Sequence, residues 1–156
     1  MLYLRATVAL VFPVVVDILV PAILLDGSGG RVELGLVALT GYPLVALGAA
    51  LLLDSVILRF AREGRGTLAP LDPPRFVVRG GAYRFVRNPM YVANVAVLTG
   101  VGLAAGSWYV LVWAAVMFAT FHTFVVAYEE PHLTAAFGDE YERYRATSGR
   151  WLPHLR

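Results

Sequence analysis

The chain has 156 residues, 58% of them hydrophobic, with a mean hydropathy of +0.66 and a formal charge of +2. Those values lie outside the range of soluble domains and predict a single membrane-embedded domain. All 13 basic residues are arginine and cysteine is absent, which excludes disulfides, thiolate nucleophiles and cysteine metal sites, while so small a charge makes no case for a nucleic-acid partner.

From the N-terminus, residues 5 to 25 predict a first span, since a bilayer core takes about 20 apolar residues as a helix. No small-residue cleavage site precedes Pro21, so the span is expected to be retained. Pro13 and Pro21 leave the carbonyls of Ala9 and Asp17 without their usual helix donors, which predicts a kinked helix packed against a neighbour. Asp17 is read as a hydrogen-bonding group serving such a carbonyl. Asp26 to Glu33 is a polar turn. A second span runs from about Leu34 to Phe60, with Gly41, Pro43 and Gly48 permitting close packing and Arg59 and Arg62 marking its exit. These two anchoring spans fill residues 1–62. Residues 63–88, rich in Gly, Pro and Arg and without a helical period, read as a cytoplasmic loop on the membrane surface.

That loop ends in Gly80 to Tyr91, GGAYRFVRNPMY, where charged and turn-forming residues crowd against a membrane boundary. Pro89 suits the first position of a new helix and Asn88 suits its N-cap, with Tyr83, Arg84 and Arg87 just ahead. Unpaired helix N–H groups and two guanidiniums converging there would attract an anion or a carboxylate. The third span, Pro89 to about Ala104, is reversed by Ala105-Gly106-Ser107 into a fourth, Trp108 to Tyr128, so residues 89–128 form a helical hairpin. In residues 129–156, Leu133, Phe137, Tyr141 and Tyr144 recur at spacings of four, four and three, an apolar stripe that predicts amphipathic helices on the membrane surface. Gly138 with Asp139 and Glu142 reads as a break and a recapped turn. The expected fold is an all-α integral membrane protein of four transmembrane helices with both termini cytoplasmic, because that topology puts every arginine but Arg31 on one side.

Glu129 and Glu130 close the fourth span, where the helix dipole prefers cations, so a compensating charge is expected nearby. Arg84 and Arg87 stand at the start of the same hairpin and are the candidates. An acid pair facing an arginine pair is a pocket or a structural ion-pair network, and the pocket is the preferred reading. His122, two turns before the acids, is a candidate pocket wall or a helix-to-helix hydrogen bond. His132 and His154 show no ligand spacing, so no metal site is predicted. Asp54 is expected to border the pocket. The glycines at 100, 102 and 106 follow no strand and read as helix packing, not as a dinucleotide fingerprint.

Several motifs now stand in order: G-x-Y at Gly81 to Tyr83, R-N-P-M-Y at Arg87 to Tyr91, the acids Glu129 and Glu130, Leu133, F-G-x-x-Y at Phe137 to Tyr141, Tyr144, and R-W-x-P at Arg150 to Pro153. In that order the chain resembles the integral-membrane methyltransferases typified by isoprenylcysteine carboxyl methyltransferase, with phospholipid N-methyltransferases as relatives. The resemblance implies S-adenosylmethionine bound between the last hairpin and the C-terminal helices without a Rossmann domain. It implies Gly81, Tyr83, Arg87, Asn88, Pro89, Met90, Tyr91, His122, Glu129 and Glu130 as cofactor-binding residues, with Arg87 and Glu130 as the catalytic pair. The implied acceptor is a lipophilic or lipid-linked molecule, methylated at the cytoplasmic face of a bacterial plasma membrane. Four positions depart from the carboxyl methyltransferase pattern: Asn88 replaces a histidine, Ala93 a glycine, and Ser148-Gly149 a Val-Pro.

A competing reading is a small proton-coupled transporter or non-catalytic membrane module built on Asp17 and Asp54. A transporter gathers its polar groups near the bilayer midplane, whereas most of those here line the cytoplasmic boundary.

Overall fold

A computed structural model describes residues 14–27, 30–55 and 76–154. The described residues are helical, with two isolated bridges and no strand. A wide π-helical turn, Val14–Leu19, leads into α1, Val20–Asp26. Pro21 lies within the first two positions of α1, which continues the π-helical turn without a break, Leu19 itself being in the helical region. Pro13, residues 5 to 13 and the exit of the second span at Arg59 and Arg62 lie outside the described residues.

The second span begins differently from expectation. Gly35–Thr40 is a tight 3-10 helix, and the α-helix proper, α2, runs Gly41–Leu53. After a 3-10 turn at Gly81–Arg84 come α3, Pro89–Ala105, and α4, Trp108–Phe124. A second π-helical turn, Val125–Glu129, carries α4 directly into α5, Glu130–Phe137, and α6 follows at Asp139–Thr147. Gly35–Leu53 and Trp108–Phe137, 19 and 30 residues long, are long and apolar enough to cross a membrane. At 17 residues α3 is shorter, roughly 25 Å at 1.5 Å per residue.

α2 and α3 make the most extensive contact in the molecule. Glycine makes it possible. A Cβ on Gly41 would lie 2.4 Å from the carbonyl oxygen of Gly100, and one on Gly100 would lie 2.7 Å from that of Gly41, so the two backbones touch where any side chain would part them. The glycine pattern of α3 thus serves helix packing. α3 and α4 form the predicted hairpin: Gly106 turns the chain in the left-handed region, and Ser107 caps α4 by accepting from the Val110 N–H at 3.4 Å. The turn is tied to the polar loop before α2, with Val32 N–H donating to Gly106 O at 2.7 Å and Trp108 N–H to Gly30 O at 2.8 Å.

Val16, Leu98, Ala114, Met117 and Phe121 form the core, with Tyr91, Val95, Trp113 and Trp151 packed against it. Two polar side chains fasten the first helix there. Trp113 Nε1 donates to Val16 O at 3.1 Å, and Asn94 Nδ2 donates to both carboxylate oxygens of Asp17 at 2.6 and 2.7 Å. Asp17 therefore serves an amide on α3 and not a carbonyl freed by proline.

Candidate active site

The polar groups gather at the end of the hairpin away from Gly106. There Asp54, just past α2, accepts the Ala82 N–H at 3.0 Å and anchors the 3-10 turn. Tyr83 is buried within that turn, and its carbonyl accepts from the Tyr144 hydroxyl at 2.7 Å. Burial pushes the Tyr83 phenol up, and nearby Glu129 adds to the effect, so it stays a neutral hydroxyl. Tyr141, on α6, is pushed up to about 12 by burial and then by Glu130. Leu133 and Phe137 are half-buried and Tyr141 and Tyr144 buried, so the C-terminal apolar stripe faces the rest of the protein.

The chain after α6 folds back on the Gly80 to Tyr91 stretch. Gly149 N–H donates to Phe85 O at 3.0 Å and Arg87 N–H donates to Gly149 O at 2.7 Å, a short parallel bridge. The Ser148-Gly149 departure matters here: a proline at 149 would have no N–H for Phe85. Asn88 occupies the N-cap position of α3, but its side chain caps nothing. Its Nδ2 donates to Arg150 O of the returning chain at 3.1 Å. Asp139 and Glu142 likewise do not recap α6. Gly138, at φ 49°, holds the cap position, Asp139 begins the helix, and Glu142 pairs with Arg145 at 2.9 Å.

Glu129 and Glu130 do not sit at a helix C-terminus, because the π-helical turn continues α4 through them into α5. Glu130 accepts from Arg87 Nη2 at 3.1 Å and, in a fork, from Arg150 Nε at 2.9 Å and Arg150 Nη2 at 2.7 Å. The side chains of Arg87 and Glu130 are each 9% exposed. Arg87 Nη1 donates further to the carbonyls of Arg145 and Ser148. Its Nε is buried with no partner among the described residues. Glu129 accepts from the Tyr91 hydroxyl at 3.0 Å through Oε2, while its Oε1 makes no hydrogen bond among the described residues. Tyr91 is held in turn by stacking on Phe121, 4.7 Å between ring centres.

Of the residues singled out in the sequence, Tyr83, Arg87, Asn88, Pro89, Tyr91, Glu129 and Glu130 converge here, with Gly81 starting the turn and Met90 half-buried at the head of α3. Arg84 does not join them. It is exposed, its guanidinium 5.8 Å from the ring of Phe85, and pairs with no acid among the described residues. His122 is exposed on α4 and reaches the cluster only by accepting from Trp151 Nε1 at 3.1 Å. Sequence reasoning missed Arg150, the partner that Arg84 was expected to be. Its signal was present in the terminal R-W-x-P, next to the tryptophan that clasps His122.

The arrangement has the chemistry to hold a zwitterion. One carboxylate oxygen is uncommitted at Glu129, and a buried guanidinium N–H is unpaired at Arg87, beside a cluster in which two arginines share a single acid. A search among curated proteins finds no match for the chain. A family model described as phospholipid methyltransferase matches residues 36–140, a stretch that takes in α2, the hairpin and both acids. With two thirds of its length matched, and with membrane-length apolar helices, the chain belongs to the phospholipid methyltransferase family.

Proposed function

We propose that this chain is an S-adenosylmethionine-dependent methyltransferase that modifies a lipophilic acceptor, an isoprenylcysteine-like carboxylate or a lipid headgroup, at the cytoplasmic membrane surface. The observation that carries the reading is the polar cluster at the end of the hairpin away from Gly106, where Glu129 keeps one uncommitted oxygen and Arg87 an unpaired Nε. In this reading Glu129 holds the cofactor's amino group and Arg87, with the start of α3 at Pro89, holds its carboxylate. Tyr91 orients Glu129, and Tyr83 and Met90 wall the site. Bound there, S-adenosylmethionine supplies an electrophilic methyl on a sulfonium, whose sulfur keeps the bonding electron pair when the acceptor's lone pair takes the methyl.

The chain's own residues then have little acid or base work to do. Alignment and exclusion of water suffice for an in-line displacement, and the buried tyrosines and the returning C-terminal segment provide both. Four spans with both termini cytoplasmic, in a bacterial plasma membrane, place the site where a lipid-borne acceptor arrives sideways through the bilayer. The test is transfer of a labelled methyl group from S-adenosylmethionine to a membrane lipid extract by the purified protein. Label in the organic phase that disappears with Glu129→Gln supports the proposal. No transfer to lipid, isoprenylated cysteine or any lipophilic amine would overturn it.

A further inference from the structure

Glu130 is one of two adjacent acids, yet its environment differs from that of Glu129. Both of its oxygens are engaged, by three hydrogen bonds from two guanidiniums, and its side chain is 9% exposed. Nothing of it is left for a ligand except at the expense of those bonds. The Arg150 fork matches the carboxylate in two parallel N–H bonds, the geometry that fixes orientation as well as energy. The same hydrogen bonding pushes the Arg150 guanidinium pKa up. With Arg150 holding both oxygens, Arg87 reaches Glu130 through Nη2 alone and turns Nη1 to the carbonyls of Arg145 and Ser148. That leaves Nε buried and unpaired.

We propose that Arg150 is a positioning residue that acts through Glu130: its fork keeps Glu130 from closing a bidentate pair with Arg87, and so leaves the Arg87 guanidinium turned towards the carboxylate of the ligand. This rests on the S-adenosylmethionine reading above and divides its labour, with Glu129 touching the ligand and Glu130 holding the frame. Three further contacts brace the arrangement from the same short segment: Asn88 on the Arg150 carbonyl, the Gly149 bridge to Phe85, and the Trp151 bond to His122. The C-terminal residues therefore form one wall of the site.

The experiment measures the affinity of two ligands, S-adenosylhomocysteine and 5′-methylthioadenosine, which lacks the amino-acid end, for the purified full chain and for Arg150→Ala, Arg150→Lys, Glu130→Gln and the Arg150→Ala/Glu130→Gln double variant. Arg150→Ala is expected to weaken S-adenosylhomocysteine by about tenfold to a hundredfold, the range for one charge-assisted hydrogen bond. It should leave methylthioadenosine within about twofold of the parent. Arg150→Lys, a cation without the fork, should recover only part of the loss. In the double variant the two losses should not add, because both act on one carboxylate. Equal weakening of both ligands would mean that Arg150 merely supports the fold, and parental affinity for both would mean that it does nothing to the site. Either result overturns the proposal. Failure of the parent to bind S-adenosylhomocysteine at all would instead overturn the cofactor reading beneath it.

Discussion

Glu130 and Arg87 are buried together, and a buried ion pair is a liability when broken. Removing one partner leaves an uncompensated charge away from water, which costs roughly 3 to 5 kcal/mol. Glu130→Gln keeps one acceptor oxygen for two guanidiniums, so its thermal midpoint in detergent should fall clearly, whereas Glu140→Gln, whose pair with Arg79 is about half exposed on both sides, should change it little. Equal midpoints for the two variants would contradict the buried-network account. At this scale the sequence told a good deal. It paired Arg87 with the acids from their shared membrane boundary, and it picked out Tyr91. It named Arg84 and missed Arg150, because that partner depends on the C-terminal segment returning beside Phe85, a long-range backbone pairing that no local spacing encodes. The Asn88 and Asp139 caps were not legible either: Asn88 Nδ2 donates to the Arg150 carbonyl of the returning chain, and Gly138 takes the cap position expected of Asp139.

The elements themselves were legible where periodicity and turn chemistry agree. Pro89, Gly106 and Ser107 are local signals, and the hairpin they predict is the one observed, Pro89–Ala105 and Trp108–Phe124. The π-helical turns at Val14–Leu19 and Val125–Glu129 were not legible, since an inserted residue leaves no mark on an apolar run. Asp17, which bonds Asn94, and Glu129, which bonds Tyr91, both lie within these turns. The contact of α2 with α3 offers a test at this scale. Gly100→Leu would drive a side chain into the Gly41 backbone, and the variant should lose monodispersity in detergent. Ala115→Leu, on an exposed face of α4, should behave like the parent. Should Gly100→Leu be as well behaved, the close approach of the two helices is wrong.

Taken whole, the described residues place the Gly30 to Val32 loop and the Gly106 turn at one end and Asp54, Arg87, Glu129, Glu130 and Arg150 at the other. Combined with the arginine asymmetry, this predicts that the acid end is cytoplasmic. Single cysteines at Ser28 and Gly66, positions outside the described residues, can be labelled from either face of the membrane. Label reaching Ser28 but not Gly66 from the cytoplasm would reverse the topology. A transporter reading built on Asp17 and Asp54 finds less support in this architecture. Asp17 is committed to Asn94 and Asp54 holds the Ala82 N–H at the boundary, so both have structural tasks.

The central claim is that the Arg87 and acid cluster binds the methyl donor, and calorimetric titration of S-adenosylhomocysteine into purified variants tests it most directly. Asp17→Asn keeps an acceptor for Asn94 and touches none of the site residues, so it should bind within about threefold of the parent. Arg87→Ala, which removes the guanidinium held for the ligand's carboxylate, and Glu130→Gln, which loosens the frame around that guanidinium, should each, while still monodisperse, bind at least about tenfold more weakly. If the Arg87 and Glu130 variants bind like the parent while Asp17→Asn alone loses function, the cofactor does not sit at this cluster and the methyltransferase site has been misassigned.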